Sequence, residues 1–404
     1  MVKKIAVLGL VGVASLTFAI HCPKCGNPNH KCGSVNAAVA VQNELNITAK
    51  AAFLVEANSG KVLFSKDENK RLPIASMTKI TTLAVIYDAL KNGELKMDDK
   101  VMVSKTASGM GGSQAFLDFD AEYVVEDLIK SIIIASANDS CVALAEKIAG
   151  SETEFVARMN KLAASLDMTN TKYANCTGLP AAESYSCAAD VAKIYSYLMK
   201  SPYYNYKSNE EPINKIWMYD LTHPSGRVTG LTNTNKHVRF MNECLGGKTG
   251  FTAEAGHCIT IAAQKGEMKP VAVIIGASNS DTRFAESRAL VEHVFNAYEN
   301  RLIVDANAIL GSVEIKRGLK NSVEVRAKEN YYKLLKKGEP AAASVAIELN
   351  KDAKAPVDAN TALGKVIVLD EGNVVREIAI VPVETVKELG YMDAVKVLTK
   401  KFKL

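Results

Sequence analysis

The hydrophobic pattern divides the chain into four stretches. After Met1-Val2-Lys3-Lys4 comes a mostly apolar run over residues 5–20. A basic start followed by an apolar core too short for a membrane span predicts an export signal. The second stretch begins with strand-like runs at residues 51–56 and 61–65. Helical periodicity follows at 76–91, 125–135, 140–148, 152–166 and 188–199. Strand signals return at 242–248, 257–264 and 270–277, and a last helix is predicted over 283–298. Strands, then helices, then strands suggest one sheet closed by the two ends of a single α/β unit, residues 41–301. In the third stretch the rhythm shortens. Runs at 312–316, 322–326, 343–349, 365–369 and 374–381 are rich in β-branched residues and parted by turns such as Glu371-Gly372-Asn373, which predicts a small β-rich domain over 302–383. In the fourth, residues 384–404, Tyr391, Ala394, Val395, Leu398 and Phe402 recur at helical spacing. Lys396, Lys400, Lys401 and Lys403 take other positions, against Asp393 alone. Such a basic amphipathic helix either lies on an anionic lipid surface or docks on its own domain.

Composition narrows this picture only in places. A length of 404 residues and 48% hydrophobic composition suit two ordinary cores. The net charge of +5 does not indicate nucleic acid, because no aromatic-interleaved basic run or zinc-finger pair accompanies it. The leader, residues 1–40, offers signal cleavage after Ala19 or after Ala40. Between these points lie His21, Cys22, Cys25, His30 and Cys32. Their ligand types suit a small metal site, but short motifs of this kind arise by chance and a processed or disordered leader is the plainer reading; no metal is required by the chemistry below. Five cysteines remain: Cys141, Cys176, Cys187, Cys244 and Cys258. Export permits disulfides, and Cys244 and Cys258 flank one motif as facing hairpin positions would. The alternative is that all five are small buried apolar residues.

The candidate chemistry starts at Ser76-Met77-Thr78-Lys79, which follows Pro73-Ile74-Ala75 and leads into an apolar helix. Residues three apart on a helix share a face, so Ser76 and Lys79 point into the same space. A serine hydroxyl needs a base to become a nucleophile, and a lysine in a poorly solvated, cation-rich site can supply one. Further along stand Ser136-Ala137-Asn138, in a break between two predicted helices, and Lys248-Thr249-Gly250 near a strand end.

The order S-x-x-K, S-x-N, K-T-G resembles the penicillin-binding proteins and active-site serine β-lactamases. The flanks Leu54 to Leu63, Glu126-Asp127-Leu128, Gly178-Leu179-Pro180, Phe251-Thr252, Ala255-Gly256 and Arg283 to Ser287 are similar to the D-alanyl-D-alanine carboxypeptidases of low molecular weight, from about Leu54 to the chain end. The resemblance implies a mainly antiparallel sheet with helices on both faces, a helical subdomain, and a small C-terminal β-rich domain. It implies an acyl-enzyme on Ser76 with Lys79 as base and no cofactor. Ser136 would relay a proton to the leaving amine, and Asn138 would bind the substrate amide. Lys248 and Thr249 would bind the terminal carboxylate, with Lys248 also lowering the pKa of Lys79. Gly250 would admit the substrate backbone, and the Ser76 and Phe251 N–H groups would form an oxyanion hole. Arg283 is a second carboxylate partner, or a helix-entry or surface ion-pair arginine.

No convincing E-x-x-x-N loop is present, which favours a carboxypeptidase over a class A β-lactamase. The implied partners are peptidoglycan stem peptides and β-lactam antibiotics. The implied place is the periplasm or outer face of the cytoplasmic membrane, with a part in cell wall biogenesis and shape. A D,D-endopeptidase, or a β-lactam sensor that binds without turnover, remains as an alternative.

Overall fold

The structure, a computed structural model, describes residues 45–391 and Val395. The apolar leader, its cysteine and histidine segment, and most of the basic tail lie outside these residues. The described chain falls into two compact units that part between Ala297 and Tyr298.

The first unit is built on a five-stranded antiparallel sheet. Its strands are β1 (Ala51–Glu56), β2 (Val62–Lys66), β3 (Cys244–Thr252), β4 (Gly256–Ala263) and β5 (Pro270–Ala277), in the order β2-β1-β5-β4-β3. The two chain ends of the unit therefore meet at the β1–β5 pair, and β3 is an edge strand. Successive side chains of a strand face opposite sides. Val271, Val273 and Ile275 of β5 join the large core that also holds Val191 and Ile194 of helix α5 (Ala188–Met199). Ala272 and Ile274 are buried on the other face, where helix α6 (Ser280–Ala297) packs. An apolar run with no polar face is what a strand covered on both sides requires. The Glu286 carboxylate of α6 accepts from Thr48 N (2.6 Å), Thr48 Oγ1 (2.7 Å) and Ala49 N (3.2 Å), which ties the chain leading into β1 against this helix.

The helical middle consists of α1 (Lys79–Lys91), α2 (Val125–Ile134), α3 (Asn138–Ala149), α4 (Glu152–Ser165) and α5. All of α1 except Asp88 and Lys91 is buried. A helix apolar on every side belongs inside a core, and that placement takes Lys79 out of water. The polar residues of α1 that follow it are satisfied internally. Thr81 Oγ1 donates to Tyr173 Oη (2.6 Å) and Thr82 Oγ1 to Cys176 O (2.6 Å).

The second unit holds a six-stranded sheet and a two-stranded ribbon, with Val313, Val325, Val366, Val368 and Ile380 in its core. Three strands here escape the periodic reading: Tyr298–Val304, Tyr331–Lys336 and Asp352–Lys354. Tyr298–Val304, taken partly as the end of a helix, pairs antiparallel with Tyr331–Lys336. Residues 384–389, assigned by periodicity to the tail, are bound into this unit. Val386 exchanges backbone bonds with Val357 (3.0 and 2.9 Å), and Leu389 N donates to Arg317 O (2.8 Å). Any free tail therefore begins near Gly390.

Candidate active site

Ser76 does not open a regular helix. It lies in a 3₁₀ turn, Ala75–Thr78, that feeds directly into α1. In a 3₁₀ turn, positions three apart nearly eclipse each other, which places Ser76 and Lys79 side by side. Lys79 Nζ lies 3.0 Å from Ser76 Oγ, 2.6 Å from Asn138 Oδ1 and 2.6 Å from Thr177 O. Burial is the first cause that lowers the Lys79 pKa below 10.5, against smaller raising effects of Cys141, Cys176 and Asp139. A neutral amine has two N–H donors and one lone pair. In that neutral form the two shortest contacts would take the donors and the lone pair would face the Ser76 hydroxyl.

Ser136 and Asn138 occupy the break between α2 and α3. Ser136 adopts φ +62°, a left-handed conformation that L-residues avoid. Backbone strain of this kind concentrates at functional sites, and here it brings the hydroxyl into the cleft. Lys248 Nζ, from β3, donates to Ser136 Oγ (2.8 Å) and Thr249 O (3.0 Å). Thr249 Oγ1 in turn donates to Thr234 Oγ1 (2.8 Å). Lys248 is held well below the usual lysine range, by burial first, then by Lys79 and Arg283. Burial is thus the first cause that depresses both lysines, and like-charge repulsion across the cleft opposes both being charged at once.

The Asn138 amide is already committed. Besides accepting from Lys79, it donates through Nδ2 to Gly111 O (2.7 Å), while its backbone N donates to Ser113 O (2.7 Å). The next residue, Asp139, is wholly buried and accepts from Ala115 N (3.0 Å) and Leu117 N (3.1 Å). The start of α3 therefore clamps the 111–117 loop beside the site. Asn138 positions Lys79 and this loop, a role added to the expected contact with substrate.

Two glycines fix the serine turn from either side. A Cβ on Gly178, at φ +81°, would lie 2.0 Å from Ala75 O and 3.0 Å from Ser76 N. A Cβ on Gly250 would lie 2.7 Å from Ile74 O and 3.2 Å from Met77 N. The close approach that demands glycine at 250 is made by the protein's own turn. Because the Gly178 neighbours are backbone, a Gly178→Ala variant must displace the turn. It is expected to lose about 2 kcal/mol or more of stability and about 100-fold in penicillin acylation rate. Thermal melting and stopped-flow acylation check this; a wild-type rate and Tm would refute it.

Phe251 is 58% exposed and stacks on His257, with ring centroids 4.4 Å apart. Arg283, the first-turn residue of α6, is not a surface ion-pair arginine. Its Nη1 donates to Gly250 O (3.1 Å) and Cys258 O (3.4 Å), and its buried Nε has no partner among the described residues. It thus binds the β3–β4 hairpin one residue from Thr249, and its charge is felt at Lys248. All five described cysteines are free and buried. Cys258 faces Gly250 and Cys244 faces Ala263 in the β3–β4 register, so the two do not oppose each other on the hairpin.

The sequence motifs Ser76, Lys79, Ser136, Asn138, Lys248, Thr249 and Gly250 converge on one cleft. Sequence reasoning gave no role to Thr177 O, Thr234, Asp139 or the Gly111 carbonyl. Backbone carbonyls carry no side-chain signature; the Gly111-Gly112 pair was the one available signal for the loop.

Comparisons with known proteins agree with this geometry. The family model for D-alanyl-D-alanine carboxypeptidase matches residues 37–279. The model for the C-terminal domain of penicillin-binding protein 5 matches residues 298–388. D-alanyl-D-alanine carboxypeptidase DacF of Bacillus subtilis is 38% identical, covering 88% of this chain and 90% of its own. DacC of Escherichia coli is 30% identical, with 87% of each covered. Among solved structures, penicillin binding protein 5 of Haemophilus influenzae superposes with a TM-score of 0.64 at 28% identity, covering 85% of this chain and 98% of that one. A peptidoglycan synthesis regulatory factor of Streptococcus pneumoniae gives 0.70 at 26% identity, covering 84% and 100%. A catalytic fold, a C-terminal β unit and a Ser76–Lys79 pair set in one buried cleft thus agree with sequence similarity along most of the chain, and the protein belongs to the D-alanyl-D-alanine carboxypeptidase family of serine peptidases.

Proposed function

We propose that the protein is a serine D-Ala-D-Ala carboxypeptidase that removes the terminal D-alanine from peptidoglycan stem pentapeptides and is acylated by β-lactams at the same serine. The carrying observation is the 3.0 Å contact between Lys79 Nζ and Ser76 Oγ inside a buried site. Lys79 takes the Ser76 proton as Oγ attacks the carbonyl carbon between the two D-alanines. The oxyanion is met by the N–H groups of Ser76 and Phe251. As the C–N bond breaks, the D-alanine amine leaves with the proton returned through Ser136. Water then gives a proton to Lys79 and attacks the ester, and Ser76 recovers its own proton. Lys248, Thr249 and Arg283 hold the terminal carboxylate. A carboxylate beside Lys248 opposes the burial that depresses its pKa, so bound substrate favours the ammonium.

A D,D-endopeptidase reading rests on similar chemistry. A Pseudomonas aeruginosa protein named D-alanyl-D-alanine endopeptidase is 29% identical, but the match covers 63% of this chain. Carboxypeptidase relatives match through the C-terminal unit as well, which favours the first reading. Incubation with a stem pentapeptide and with a cross-linked muropeptide dimer separates the two. D-alanine should leave the pentapeptide first; earlier loss of cross-links would favour the endopeptidase.

Export and peripheral membrane attachment complete the proposal. They are supported by the apolar leader and by the basic amphipathic spacing of residues 391–403, nearly all outside the described residues. Among the described residues no helix is long and apolar enough to cross a membrane. Deleting residues 391–404 is expected to move the protein from membrane to soluble fractions with turnover on a soluble peptide unchanged. Retention on membranes after the deletion would exclude the tail as anchor.

A further inference from the structure

Phe116 stands in the loop beside the cleft and is held in an unusual state. Its side chain is 57% exposed, and its φ of +61° is one that a bulky L-residue avoids. Backbone strain of this kind persists only where neighbours hold it. Asp139 grips the residues on either side, through Ala115 N and Leu117 N. The carbonyl between them is held by Arg227, from a hairpin formed by Met218–Thr222 and Val228–Thr232. Arg227 Nη2 donates to Phe116 O (2.5 Å) and to Asp118 Oδ1 (2.8 Å). Asp118 also accepts from Ser225 Oγ of the same hairpin (2.7 Å), and its backbone N donates to Tyr123 Oη (3.0 Å). His223 closes the cluster. Its Nδ1 lies 2.6 Å from Tyr123 Oη and 3.0 Å from Arg227 Nη2, and its Nε2 lies 2.8 Å from Thr229 Oγ1. Arginine only donates, so Nδ1 is the unprotonated nitrogen and the ring is neutral. Burial first, then Arg227, holds the His223 pKa below 6.5, against the opposing pull of Asp118 and Asp139.

We propose that Arg227 is a positioning residue for the acylation step: it pins the loop over residues 111–118 and so keeps Asn138 seated against Lys79. The path is short. Asn138 joins the loop to the base, donating through Nδ2 to Gly111 O (2.7 Å) and through its backbone N to Ser113 O (2.7 Å), while Oδ1 accepts from Lys79 Nζ (2.6 Å). The loop lies so close here that a Cβ on Gly112 would come within 2.9 Å of Asn138 Nδ2. Without Arg227, Phe116 O and Asp118 lose their common partner and the strained turn is free to relax away from Asn138. Burial is the first cause that depresses Lys79, so water admitted beside Asn138 raises its pKa. The inference rests on the Ser76–Lys79 chemistry proposed above, and adds to it a residue whose hydrogen bonds reach none of the catalytic side chains.

The test measures the rate of acylation by a fluorescent penicillin between about pH 5 and pH 10. Acylation needs a neutral Lys79, so the rate climbs with pH to a plateau. In Arg227→Gln the climb is expected about one pH unit higher, which makes acylation about tenfold slower on the ascending limb and leaves the plateau unchanged. A merely structural loss would instead lower the rate by one factor at every pH. The Arg227 side chain is 42% exposed, so the variant should fold, which thermal melting reports. Asp118→Asn removes the same ion pair with little change of shape and decides the matter if Arg227→Gln fails to fold. It should move the limb in the same direction, and the double variant should move it no further than Arg227→Gln, because both act through one clasp. A limb at the wild-type pH in both variants, or a uniform loss across the range, would overturn the role of Arg227 while the Ser76–Lys79 chemistry stands. A wild-type protein with no ascending limb would overturn both.

Discussion

Replacing Ser76 with alanine is expected to abolish D-alanine release and covalent capture of a fluorescent penicillin together, leaving the fold intact. Ser136 Oγ also contacts a buried lysine, Lys248 (2.8 Å), so the Ser76→Ala result separates the two serine–lysine pairs. Loss of a sole nucleophile costs roughly 10⁴- to 10⁶-fold in rate. Ser76 is half-buried, its hydroxyl contacts Lys79, and alanine suits the turn, so the change in stability should stay within about 1 kcal/mol. D-alanine assay, gel fluorescence and thermal melting check this result. A variant that still captures penicillin covalently would remove Ser76 from the role.

Lys79→Met should have a comparable effect through the other half of the pair. Methionine preserves an unbranched apolar shape in the buried channel of α1 and removes the amine. Acylation is expected to fall about 10²- to 10⁴-fold, the range for a lost general base. The pH dependence carries the diagnostic sign. Lys79 acts as base only when neutral, and burial lowers its pKa from 10.5. Wild-type acylation should therefore rise with pH up to that depressed pKa, level off above it, and be lost as pH falls below it. The Met variant should show no such ascending limb. A Lys79→Arg variant, protonated throughout, should be equally inactive. Acylation rates of a penicillin between about pH 5 and pH 10 read this directly; an unchanged limb in the Met variant would assign it to another group.

Much of this arrangement is written in side-chain pattern. Helix Ala188–Met199 and strand Pro270–Ala277 stand where apolar spacing places them, because each is bounded by residues that break its period. The serine, lysine and asparagine of the site carry distinctive chemistry and so could be found one by one. What escaped has a common physical cause. The strand expected over 242–248 continues to Thr252, through Gly250, a residue with little strand preference of its own. Pairing with β4 supplies the order, and close approach to Ile74 O and Thr260 O requires the missing side chains at 250 and 247. The Ser76 turn lies so close to Gly178, distant in sequence, that no side chain fits at 178. The Thr177 carbonyl that fixes Lys79 is backbone and leaves no pattern. The guanidinium of Arg283 was visible, but its partners are two strand carbonyls that only the β3–β4 hairpin brings to it.

The central claim is that the buried Ser76–Lys79 pair hydrolyses the bond between two terminal D-alanines. The most direct test is to incubate the purified soluble protein with a stem pentapeptide ending in D-Ala-D-Ala and to measure free D-alanine over time. The account predicts many equivalents of D-alanine per protein and a tetrapeptide product. No release, with penicillin still bound covalently at Ser76, would contradict it and leave a protein that captures β-lactams without turning over peptide.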